Sequence, residues 1–67
     1  MNAAAARARL IGLQAERFEA LELGVEKTSP YMARLEAAIE DARTDYVMGA
    51  VLEIALLRGE LADALQG

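Results

Sequence analysis

Residues 23–32, "LGVEKTSPYM", decide the fold. Gly24 stands where a helix stops, because glycine takes the left-handed C′ conformation cheaply. Ser29 followed by Pro30 reads as an N-cap with proline at the first helical position, where its missing N–H costs nothing. The short turn between them joins two antiparallel helices. The pattern predicts a single all-α domain over 1–67. Its first helix starts at Ala3 or Ala4 and ends near Leu23, the turn covers 24–29, and the second helix covers about 30–65.

Composition agrees. Fifteen Ala and ten Leu, with one Pro, one Phe and two Tyr, favour helix. Val and Ile are few and do not alternate as a half-buried strand requires. A core of 67 residues is ordinarily marginal, and without cysteine neither a disulfide nor a thiolate metal site can reinforce it. Added stability is expected from regular helix packing or from another chain.

The first helix carries Ile11, Gln14, Phe18, Leu21 and Val25 at 3-4-3-4 spacing, with Leu10 and Leu13 widening the stripe. In the second, Met32, Leu35, Ile39, Ala42 and Tyr46 form a narrow stripe. These patterns predict a hairpin core of Ile11, Phe18, Leu21, Leu35, Ile39 and Tyr46, with Phe18 as its anchor. A turn centred near residue 26 or 27 sets Phe18 level with Leu35 and Ile11 level with Ala42.

Beyond Tyr46 the pattern changes. "YVMGAVLEIALL", residues 46–57, is apolar nearly all round, and such a helix is expected to be buried all round. At 1.5 Å per residue the second helix measures roughly 54 Å against roughly 30 Å for the first. The first therefore runs out near residues 49 and 50. Val47, Val51, Leu52, Ile54, Leu56, Leu57, Leu61 and Leu65 are the expected partner interface. Burying one large aliphatic side chain is worth ~1.5–3 kcal/mol, so wetting this set would forgo more than a small domain's stability. The expected cover is a second copy or a larger protein assembly, with a break at Gly49 or Gly59 that folds the tail back as the remaining route.

Chemistry is sparse. No His or Cys supports nucleophilic catalysis, and the five glycines form no phosphate-cradling loop. Glu16, Glu19 and Glu22, with Glu60 and Asp63, resemble in spacing the acidic helices of all-α nucleotide pyrophosphohydrolases, which hold magnesium. The paired acids those enzymes use are missing, and an antiparallel hairpin separates the two groups. Glu53 shares the meridian of Leu35, Ile39 and Tyr46 and is expected to reach solvent, an arginine or a neighbouring chain, with Arg7, Arg9 and the N-terminus approaching its level. Net charge is −4, with seven Lys+Arg against eleven Asp+Glu. Arg7 and Arg9 are the only basic cluster and Arg34 alone follows Pro30, so direct nucleic-acid binding is not expected. Neither a catalytic residue nor a cofactor or metal site is predicted, and no small-molecule substrate.

"MNAAAARARLIGL" has small residues before its arginines, the reverse of a signal peptide. No apolar run reaches the ~18–20 residues that span a bilayer. The expected location is the cytoplasm or a virion. The run "YMARLEAAIEDARTDYVMGAVLEIALLRGEL", preceded by "ERFEALELGV", resembles the short helical-hairpin accessory proteins of actinobacterial phages and prophages. That resemblance implies a small accessory subunit and a place in a virion, and transfers no functional residue. The expectation is a non-enzymatic structural subunit, associated with a capsid or connector. The alternative is a regulatory adaptor or antitoxin-like protein holding one folded partner, and a distant alternative is an acidic all-α metal-dependent nucleotide hydrolase.

Overall fold

The computed structural model describes residues 2–66. Two helices, α1 (Ala3–Glu22) and α2 (Pro30–Gln66), pack antiparallel as a hairpin. Asn2 caps α1: its Oδ1 accepts hydrogen bonds from the amides of Ala4 at 2.8 Å and Ala5 at 3.3 Å. These satisfy two of the amides that a helix start leaves without partners. The other end closes with a Schellman motif. The Val25 amide donates to the Ala20 carbonyl and the Gly24 amide to that of Leu21, with Gly24 at φ 85°. Val25 packs onto the core beside Ala20, the apolar contact that accompanies this motif. Ser29 Oγ then accepts from the Met32 amide at 3.1 Å and starts α2.

The α2 face of the hairpin follows the expected stripe. Met32, Leu35, Ile39 and Ala42 are buried, Tyr46 is half-buried, and Gly49 continues the 3-4 rhythm. The α1 face is different. Ile11 is 51% exposed and Phe18 64% exposed, so neither belongs to the core and Phe18 is not its anchor. Leu21 alone of the three expected α1 residues packs against it, at its edge. The side turned toward α2 carries Ala3, Ala6, Leu10, Leu13 and Ala20, about a third of a turn from Ile11 and Phe18 at 100° per residue. Ala3 and Leu10, like Ala6, Leu13 and Ala20, recur every seven residues, and α2 repeats Met32, Ile39, Tyr46 and Leu35, Ala42, Gly49 likewise. Two helices with matched seven-residue repeats keep one seam in contact over their shared length. Small residues in that seam bring the backbones close. A Cβ at Gly49 would sit 3.0 Å from the Ala3 nitrogen.

α2 runs without interruption through Gly49 and Gly59, so no third helix folds back over the tail. The described chain measures 60 × 15 × 12 Å, with a radius of gyration of 17.2 Å. Every described residue from Val51 onward is exposed. The expectation that this turn of helix is buried all round is not met within one chain, because α1 ends before reaching it.

Candidate interaction surface

The tail is positioned from its base. Ala3, the first residue of α1, lies against Gly49, and its amide donates to Glu53 Oε1 at 3.3 Å. Glu53 thus meets the positive end of the α1 dipole, where a carboxylate is favoured. Its role is a brace at the open end of the hairpin. From Ile54 to Gln66 only α2 continues, a rod of roughly 20 Å at 1.5 Å per residue.

On this rod Val47, Val51, Ile54, Leu57, Leu61 and Leu65 lie within about 120° of one another at 100° per residue. Their exposures run from 50% at Ile54 to 80% at Leu65. Leu52 and Leu56, 54% and 67% exposed, point to the opposite side. The eight expected partner residues therefore make two faces, and the six-residue face is the continuous one. Ala50 falls inside it and Ala64 at its edge, at the intervening 3-4 positions.

The hairpin has two broad sides, told apart by the grooves on them. One groove joins Gln14 and Arg17 of α1 to Glu36, Ile39, Glu40 and Arg43 of α2. Ile11, Gln14 and Phe18 occur at 3-4 spacing, as do Arg43, Val47, Ala50 and Ile54. The six-residue tail face and the exposed Ile11–Phe18 stripe consequently look out from the same side. Arg7, four residues before Ile11, shares it. The rotation of α1 moved these α1 residues out of the core and onto the side where the tail is apolar. Wheel geometry within α1 alone could not reveal this, since it depends on which stripe α2 selects.

Electrostatics on this side are mild. Arg17 Nε and Glu36 Oε1 pair across the helices at 3.3 Å, and Arg43 pairs with Glu40 on α2. Both pairs are solvent-exposed, where such contacts contribute little. The opposite groove is lined by Glu16, Glu19, Leu23 and Tyr31 among others. There the Tyr31 hydroxyl donates to Glu16 Oε1 at 2.7 Å, and this bond, with the negative charge of Glu16 and Glu19, raises the tyrosine pKa above its ordinary 10.0. Tyr31 is thus a tie between α2 and α1. Glu60 and Asp63 stand on the tail, away from Glu16, Glu19 and Glu22 on α1, and among the described residues no three acidic groups converge. Among those residues, too, no helix is long and apolar enough to cross a membrane. No family model, curated protein or solved structure matches the chain.

Proposed function

We propose that this protein is a non-enzymatic interaction subunit whose overhanging α2 docks on other protein in an assembly. One observation carries the reading: a 37-residue helix packs on a 20-residue helix, and the surplus is a run of large aliphatic side chains each at least half exposed. A monomer rarely keeps a contiguous apolar patch of this kind in water. The hairpin acts as a rigid base and the tail as the inserted element. The sequence resemblance to phage accessory proteins supports a site for such a subunit at a capsid or connector, and the exposed, regular rod suits a spacer or reinforcing role there. An adaptor gripping one folded partner would use the same face in helix-in-groove fashion.

The test is the mass of the native complex, with Ile54→Asp as the probe. A charge at the centre of the tail face should abolish assembly while leaving helix content from α1 and the first half of α2 largely intact. A lattice component gives many copies per complex and an adaptor a one-to-one catch. Normal assembly of Ile54→Asp would remove the tail face from consideration.

A further inference from the structure

We infer that the tail face is covered by the same face of a second copy, running antiparallel about a two-fold axis level with the bond between Ala55 and Leu56. This rests on the tail being an interaction surface and adds the identity and direction of what covers it.

The first argument is self-complementarity. Val47, Ile54 and Leu61 recur every seven residues, and Ala50, Leu57 and Ala64 follow the same repeat three positions on. Reversing the stripe about the stated centre sets Val47 opposite Ala64, Ala50 opposite Leu61, and Ile54 opposite Leu57. Each layer then combines apolar residues, with small against large at the outer two, which is how facing helices interdigitate at close range. A parallel, in-register pair instead sets Ala50 on Ala50 and Ala64 on Ala64, leaving thin layers. The antiparallel overlap covers residues 47–64, with Val51 and Leu65 flanking the layers, level with Glu60 and Tyr46 of the other copy.

The second argument is charge. The last turns of α2 carry Glu60 and Asp63, together with the negative end of a 37-residue helix dipole. A parallel pair would bring two such ends together. The antiparallel pair carries each to the open end of the other hairpin: Glu60 comes level with Val51 and Asp63 with Met48 of the other copy. That is the level at which Ala3 opens α1 against Gly49, where the helix dipole is positive. Arg7 lies one turn further along α1 on the stacking side. Glu53 already meets the α1 amides there, so the attraction runs between Arg7 and the negative end of the other copy's α2 with Glu60, repeated at both ends by the two-fold axis, while Asp63 points away from the seam.

The third argument is clearance. α1 ends at the level of Gly49 to Glu53, and its dimer mate lies at the far end of the rod, so the two α1 helices do not compete for the same space. The overhang of each copy has the room that the other requires.

The chain has no cysteine, so single-site nitroxide labels at Arg58→Cys and Gln66→Cys read the arrangement directly in the purified full chain. The expected result is a dimer by sedimentation across the micromolar range. Labels at 58 should then lie within about 8 Å of each other along the axis, and labels at 66 about 30 Å apart, at 1.5 Å per residue. Ile54→Asp should give a monomer, and Arg7→Glu should weaken the dimer severalfold, most at low salt. Short distances at both sites would mean parallel pairing and would overturn the inference, as would a wild-type monomer. A wild-type monomer that still enters a native complex in an Ile54-dependent way leaves the interaction subunit standing and removes only self-pairing. Loss of that dependence as well removes both.

Discussion

At Gly49 the absence of one carbon sets how closely the hairpin closes. A Cβ there would meet the Ala3 nitrogen at 3.0 Å and its Cα at 3.1 Å, whereas Gly12 and Gly59 have nothing within 4 Å. Alanine is favoured over glycine inside a helix by about 1 kcal/mol, so Gly12→Ala should stabilise the protein by roughly that amount in urea unfolding. Gly49→Ala has the same intrinsic gain but must push the α1 backbone away, and overpacking costs ~1–3 kcal/mol. It should be net destabilising and should loosen amide protection from Ala3 to Ala6. A stabilised Gly49→Ala protein would show that the helices do not meet there. Tyr31 offers a second residue-level measurement. Its folded pKa is raised because the neutral hydroxyl donates to Glu16. The associated stability is present below the unfolded value near 10.0 and is lost as pH rises through the higher folded value. The ultraviolet titration that disappears in Tyr31→Phe should have its midpoint above 10.0 and move down in Glu16→Gln.

The helices themselves were legible from the turn residues, and their mutual rotation was not. Gly24, Ser29 and Pro30 mark a stop and a start whose hydrogen bonds are both present in the structure. Asn2 is an equally good cap, and its signal was available: Asn immediately before an alanine-rich helix. The core face of α1 differs from the Ile11–Phe18 stripe because a matched repeat of small residues outranks side-chain size. Ile11 and Phe18 are the bulkiest candidates, yet α2 accepts the stripe whose seven-residue repeat and small residues match its own. Arg17 sits in that stripe and obscured it; it bridges to Glu36 at the edge of the seam. The consequence is measurable. Met32 is fully buried, so Met32→Ala should cost ~2–4 kcal/mol in urea unfolding. Phe18→Ser, at a position 64% exposed, should cost well under 1 kcal/mol. The opposite ranking would restore Phe18 to the core.

Taken as a whole, one chain is a rod and not a globule. Its radius of gyration of 17.2 Å compares with about 11 Å for a compact chain of this length. Small-angle scattering on monomeric Ile54→Asp should return a value near 17.2 Å; one near 11 Å would mean that the tail folds back. The length mismatch, the turn, the helical class and the apolar character of residues 47–65 all follow from local propensity, capping and periodicity, which are properties of the sequence by itself. Which stripe of α1 faces α2, the meeting of Ala3 with Gly49 and Glu53, and the gathering of Ile11, Phe18 and the tail face on one side were decided only in the tertiary structure. Local rules place an apolar residue on a face of its own helix. Choosing among faces requires the closest fit between two helices at once, and that information resides in neither one alone.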